Sequence, residues 1–325
     1  MSSNKHSGQG SFVFAHIEDF RRLPPAALPF EKGLHGSFGA DQRPGQGELY
    51  YGMPGLGILR VSADLTTQDL ITLPPDLVSL NFHSTRIEQI GGQPRLVLAS
   101  NATESVIIAT LAGDVQDVLH RPEFEQYADP AKGFMPTSTA ADGDNVYVAD
   151  GYASQFVSVA GVHAHGDHIH SHYSSIFGGK TDDVHEHGKF GTAHGITRVP
   201  MSDHLAVADR SNWRVELVDL HGHHAESYPM PENSRPCGID YVKHDGHWYA
   251  AVGSLDDPQA GRPAPIYILD ADTYQVISTI RPKEELGIEL ADHIHNVVWH
   301  QHNGDLFLVV QAWNPGFYFV LGHNH

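Results

Sequence analysis

Six short apolar strand cores recur along the chain at nearly even intervals, and few architectures accommodate that repetition. They are Leu49-Tyr50-Tyr51-Gly52, Val97-Leu98-Ala99-Ser100, Tyr147-Val148-Ala149-Asp150, Ala206-Val207-Ala208-Asp209, Ala250-Ala251-Val252-Gly253 and Phe307-Leu308-Val309-Val310. Their starting positions give a period of roughly 50 residues, the length of a propeller blade. Further strand candidates follow within the units, at 214–219 and 265–270, separated by turn-rich segments. Several strands per unit and six units predict an all-β, six-bladed β-propeller spanning 1–325 as a single domain. A sandwich is the ordinary alternative, and the even six-unit spacing weighs against it. The 32 glycines and 20 prolines suit many tight turns. Residues 11–16 are apolar enough to form a strand, expected to pair with 317–321 and close the ring, because an open toroid would expose two sheet edges.

The formal charge of −19 makes nucleic acid a poor partner, since phosphate binding needs clustered Lys and Arg. No apolar run reaches membrane-spanning length, and the polar residues 1–10 lack the pattern of a signal peptide. The expectation is a chain that is cytoplasmic as given, or periplasmic or secreted if already matured. The single cysteine, Cys237, excludes an intrachain disulfide.

The 25 histidines are not scattered evenly. His83, His194 and His295 lie about 12 to 14 residues before the second, fourth and sixth strand cores. Alternate blades of a six-bladed ring are related by about a third of a turn, so equivalent residues on them would converge on the axis. That is what an open, three-histidine zinc site requires, with a fourth position left for water or substrate. The corresponding stretches of the third and fifth units, near Met135 and Gly238, carry no histidine. In the first unit His35 occupies a similar offset and could also reach the axis.

Two segments, Asn145-Val146-Tyr147-Val148-Ala149-Asp150-Gly151-Tyr152 and Leu205-Ala206-Val207-Ala208-Asp209-Arg210-Ser211-Asn212-Trp213-Arg214-Val215, resemble NHL-type propeller blades. Together they resemble peptidyl-α-hydroxyglycine α-amidating lyase, loosely from about 49 to 321 and sharply around Asp150 to Tyr152 and His194 to Val215. The resemblance implies zinc on His83, His194 and His295, with His293 competing for the third place. It also implies proton transfer by Tyr152 and carboxylate binding or charge stabilisation by Arg210. Arg210 taken alone could instead pair with Asp209 or Glu216. The implied reaction cleaves a carbinolamide C–N bond to an amide and glyoxylate or a similar aldehyde, on a small-molecule or peptide substrate bearing a carboxylate.

The chain departs from the family pattern at two places. Asn296 follows His295 where the family has an acidic residue that helps hold calcium, which argues against calcium here. The first unit, Tyr51-Gly52-Met53-Pro54-Gly55-Leu56-Gly57, lacks the family's additional arginine; Arg43 and Arg60 are near but not aligned.

A second histidine signal is local. His163, His165, His168, His170 and His172, with His185 and His187 and the acids Asp167, Asp182, Asp183 and Glu186, fill an insertion at about 161–188. Such a tract is expected to be a mobile, solvated loop or a metal-collecting segment, and the terminal Gly322-His323-Asn324-His325 is a weaker signal of the same kind. It keeps open a second class of function, a zinc carrier or metallochaperone without catalysis. A third is a metal-dependent propeller hydrolase, for which Asp292 is the nearest candidate carboxylate. Trp213, Trp248 and Trp313 are expected to pack between blades.

Overall fold

The computed structural model describes residues 5–20, 23–78, 80–165 and 168–324, except the side chain of His165. Asp167 and His325 lie outside the described residues. Six antiparallel sheets follow one another along the chain. Blade 1 comprises Phe38–Ala40, Leu49–Met53, Gly57–Val61 and Gln68–Ile71. Blade 2 comprises Ser84–Ile90, Gln93–Ser100, Ser105–Thr110 and Val115–Leu119. Blade 3 contains Ser138–Asp142, Asn145–Ala149, Phe156–His165 and His168–Gly178. Blade 4 contains Ala193–Arg198, His204–Asp209, Arg214–Asp219 and His224–Pro229. Blade 5 is Pro236–His244, His247–Ser254, Ile266–Asp270 and Val276–Ile280. Blade 6 is His293–His302, Asp305–Trp313 and Phe317–His323.

The first strands of successive blades pack on one another in a closed cycle, blade 6 returning to blade 1, so they line a central axis. Every strand core read from the sequence is the second strand of its blade. A second strand has a partner on each side and a blade against each face, which is why its sequence runs apolar rather than alternating. Leu96, Val97, Leu98 and Ala99 are accordingly all fully buried.

Phe12–His16 closes the ring by pairing with the last strand of blade 6, Phe14 opposite His323 and His16 opposite Leu321. His6–Gln9 adds a fifth strand outside it. Blade 6 is thus built from both ends of the described chain, with His6–Gln9 as its outermost strand. His323, a weak metal candidate in the sequence, instead packs against Phe14 and contacts the Ser11 carbonyl at this closure. Among the described residues no helix is long and apolar enough to cross a membrane.

The histidine-rich insertion is a loop only in its second part, 179–188; up to Gly178 its described residues are strand. It extends the two outer strands of blade 3 into an antiparallel ribbon, with His163 opposite His170 and His165 opposite His168. Alternation therefore places His163, His168, His170 and His172 on one exposed face. Val162 and Ile169, on the other face, are buried with Ile90 of blade 2, and Asp117 accepts a hydrogen bond from the Ser171 N–H at 2.7 Å. Composition suggested mobility because histidine has little to bury; the two apolar residues between the histidines supply the anchorage.

Candidate functional site

The three alternate-blade histidines converge on the axis. Their ring centroids form a near-equilateral triangle, 4.8 Å from His83 to His194, 4.8 Å from His83 to His295 and 5.0 Å from His194 to His295. The cause is local. His194 and His295 occupy β-bulges in the first strands of blades 4 and 6, and a bulge re-aims a side chain that regular pairing would hold flat. His83 sits at the matching place in blade 2, its N–H bonded to Ala99 O at 2.8 Å while Ser84 also faces Ala99. The next residue after His194 has to be small: a Cβ on Gly195 would lie 2.6 Å from Gly238 Cα and 2.7 Å from Cys237 O.

Each histidine is anchored by the following blade. His83 Nδ1 lies 2.7 Å from Thr137 O, His194 Nδ1 2.5 Å from Cys237 O and His295 Nδ1 3.1 Å from Gly36 O. A carbonyl only accepts, so all three Nδ1 atoms must carry the proton, and every Nε2 presents a lone pair to the centre. Burial holds all three imidazoles well below the usual histidine pKa, with His35, Arg210 and their own mutual proximity adding to it. They are neutral, as metal ligands must be.

That arrangement leaves lone pairs facing one another. His295 Nε2 and His83 Nε2 are 3.2 Å apart with no proton available to lie between them. Two nitrogens bound to one tetrahedral zinc ion sit about 3.3 Å apart, so a cation would relieve the repulsion without moving the rings far. The donor set fits a transition-metal ion, and its Nδ1–H-to-carbonyl supports are those that orient metal-binding histidines.

Tyr152 and Arg210 reach this centre from equivalent turns. Each follows a second strand ending in a buried aspartate that binds the turn backbone. Asp150 accepts from Met135 N at 2.8 Å and Ser154 N at 2.9 Å, and Asp209 accepts from Gly191 N at 2.8 Å and Thr192 N at 3.0 Å. The Tyr152 hydroxyl lies 3.0 Å from both His83 Nε2 and His194 Nε2. Burial raises its pKa and Arg210 opposes that shift, so the resting group is the phenol.

Arg210 is 8% exposed and pairs with neither Asp209 nor Glu216. Its neighbour Arg214 takes those partners. Arg210 donates to Tyr152 Oη at 3.4 Å and to Cys237 Sγ at 3.2 Å, while its Nε has no partner. Burial alone would lower its pKa; Cys237 and Tyr152 more than offset this, and the group stays cationic. It is a buried cation that makes no carboxylate contact within ion-pair distance among the described residues.

His293 does not compete for the centre. It turns outward to Leu255 O at 2.8 Å and Asp256 at 3.3 Å. His35 does approach: its ring is 4.6 Å from His295 and 5.0 Å from His83, and ligand atoms of these three lie within 4.8 Å of one another. His194 differs from His35 in having a carbonyl anchor and in being buried. His35 is partly exposed and leans on Trp313 at 5.2 Å. Trp313 therefore flanks the centre rather than packing between blades, and Trp213 lines a separate cavity; Trp248 packs as expected. That cavity, about 770 Å³, is lined by Arg235, Asp256, Arg262 and the outward-turned His293, and none of the axial histidines, Tyr152 or Arg210 lines it. Below the histidines the axis narrows to about 20 Å³, room for about one water. Arg43 and Arg60 are paired with Asp41 and Asp69 and do not supply the missing first-blade arginine. Asp292 is tied to Lys283 at 2.8 Å.

Neutral buried histidines also set an acid limit. His35 and His300 are held at about 4, by burial first, and the three axial histidines are shifted the same way. In the unfolded chain all of them take up protons near pH 6.5, whereas in the fold they do not. Stability is therefore full above pH 6.5 and lost as pH falls toward 4, each group contributing about 1.4 kcal/mol per pH unit. Urea unfolding of metal-free protein at pH 7.5 and 5 is expected to differ by several kcal/mol, with the lower stability at pH 5.

No protein-family model matches the sequence, and no curated protein does. Among solved structures, a gluconolactonase of Xanthomonas campestris superposes with a TM-score of 0.58 at 12% identity, over 97% of this chain and 99% of that one. A streptogramin B lyase gives a TM-score of 0.52 at 12% identity, over 98% of each chain. Likeness at that identity is likeness of fold, and it agrees with the strand order: this chain is an all-β, six-bladed propeller similar in architecture to both proteins.

Proposed function

We propose that the chain is a metal-dependent carbon–nitrogen lyase acting on a carbinolamide that carries a carboxylate, as the resemblance to peptidyl-α-hydroxyglycine α-amidating lyase implies. The observation that carries this reading is the buried, carboxylate-free Arg210 beside three neutral imidazoles and the Tyr152 hydroxyl. A substrate carboxylate would supply the missing anion through paired hydrogen bonds.

Cleavage requires the carbinol hydroxyl to lose its proton, the C–N bond to break and the departing amide nitrogen to gain a proton. Tyr152 is placed to relay that proton, passing its own to the nitrogen as it takes the hydroxyl's. A zinc ion or similar divalent metal on His83, His194 and His295 would supply Lewis acidity that lowers the hydroxyl pKa. The products are an amide and glyoxylate or a related aldehyde, and no net proton is released.

Tyr152→Phe is expected to lower kcat for glyoxylate release from a peptidyl-α-hydroxyglycine by about 10²- to 10⁴-fold, with metal content unchanged by elemental analysis. Unchanged turnover in this variant would sink the assignment.

The exposed histidine face of the blade 3 ribbon favours a second reading, a metal carrier. His163 and His172 are 5.4 Å apart and His170 and His172 6.3 Å apart between ring centroids, close enough for shared, exchangeable zinc, nickel or copper. Protein purified without added metal separates the readings. One tightly held ion with turnover supports the lyase; several weakly held ions and no turnover on any carbinolamide support the carrier.

A further inference from the structure

Away from the axis, blade 4 carries a second convergence of metal-type donors. Glu216, on the third strand, has a side chain that is 0% exposed. His224, on the fourth strand, approaches one of its oxygens at 2.9 Å, and His187, from the connection entering the blade, approaches the other at 3.4 Å. The two imidazoles stack with centroids 4.4 Å apart.

Charge makes this more than proximity. Arg214 joins Glu216 to Asp209, its Nε 3.4 Å from the first and 3.0 Å from the second. Asp209 accepts hydrogen bonds from two backbone N–H groups, Asn212 and Arg214, the surroundings of an ionised carboxylate. Two buried carboxylates and one guanidinium leave one negative charge over. Arg214 also donates to the Val184, Glu186 and Lys189 carbonyls and lies 3.3 Å from His187 Nδ1, and its closer carboxylate is Asp209, so the surplus falls on Glu216, which accepts from Gly188 N–H at 2.8 Å beside two half-open imidazoles. Buried charge is costly unless compensated.

We propose that His187, Glu216 and His224 form a second binding site, for a divalent transition metal of the zinc class. Two imidazoles and one carboxylate favour zinc, nickel or copper over calcium or magnesium, which require more oxygen donors. The separations of 2.9 and 3.4 Å bracket those between neighbouring ligands of one tetrahedral ion, about 3.3 Å. Positions on the solvent side stay open to water.

The site reaches the axial centre through the backbone. The Asp209 that compensates Arg214 also holds Gly191 N and Thr192 N, and Thr192 O accepts from both His194 N at 2.8 Å and Arg210 N at 3.0 Å. A metal on the rim would fasten the 184–192 connection whose end positions these two residues. It does not depend on the lyase reading.

The test uses the full chain crystallised with zinc and data collected at the zinc absorption edge, with zinc titrations of wild type, His187→Asn and His224→Asn. Both substitutions are at exposed positions, so folding is preserved. The expected result is an anomalous peak about 2.0–2.2 Å from ligand atoms of the three residues, and one fewer zinc equivalent in each variant, its affinity at this site falling by at least about 100-fold. Zinc on the ribbon or at the axis would lie elsewhere in the map. No peak at these residues, with stoichiometry equal in all three proteins, would overturn the proposal and leave a histidine–carboxylate pair.

Discussion

His194→Ala is expected to remove one tightly held zinc per chain and to lower kcat/KM for carbinolamide cleavage by at least about 10³-fold. His83 and His295 would remain with the partly exposed His35 beside them, but His35 leans on Trp313, so the remaining set would bind weakly and exchangeably, and the Lewis acidity lost with the ion is worth several kcal/mol. The same substitution strips Tyr152 of one of its two imidazole neighbours and leaves Cys237 O without its donor, so proton relay is misaligned as well. His293→Ala is the matched control. It lies two residues from His295 but binds Leu255 and Asp256, so metal content and turnover should stay within twofold of wild type. Elemental analysis with glyoxylate assay reads both outcomes, and unaltered zinc in His194→Ala would show that His194 is not a ligand of the tight site, leaving His35, His83 and His295 as the group able to hold it.

Arg210→Met should move stability and activity in opposite directions. A buried guanidinium without an anion costs several kcal/mol of desolvation that its contacts with Tyr152 and Cys237 cannot offset fully. A methionine of similar length fills the space without the charge, and the gain expected in urea unfolding is about 1–3 kcal/mol. Against carboxylate-bearing substrate the same change removes the counter-charge, and kcat/KM should drop by two to three orders of magnitude, about 3–4 kcal/mol. A substrate analogue with a carboxamide in place of the carboxylate should lose little between wild type and variant. A variant that is both less stable and equally active would mean that Arg210 is structural.

The backbone plan was legible because second strands, enclosed on all sides, write a continuous apolar run into the sequence. The ring closure followed for a different reason, that an open toroid would expose two sheet edges and residues 11–16 are apolar enough to pair with 317–321. The histidine triangle was visible as an offset from those runs. What was hidden lies one step from the side chains that carry it. The anchors at Gly36, Thr137 and Cys237 are backbone carbonyls, and a carbonyl has no residue type to read. His35 and Trp313 belong to segments far apart in sequence that meet only once the ring is closed. The ribbon was misread because the signal lay in Val162 and Ile169, two apolar residues outnumbered by histidines.

The three anchoring bonds span only alternate seams of the ring: blade 2 to 3, blade 4 to 5 and blade 6 to 1. The propeller is in this respect three two-blade pairs, each latched by one imidazole, and the three latches end at a single point. An ion bound there would pull on all three pairs together, and its affinity becomes a gauge of how well the whole circle is drawn in. Loosening any one seam, however far from the reaction, would be felt as a longer bond at the centre.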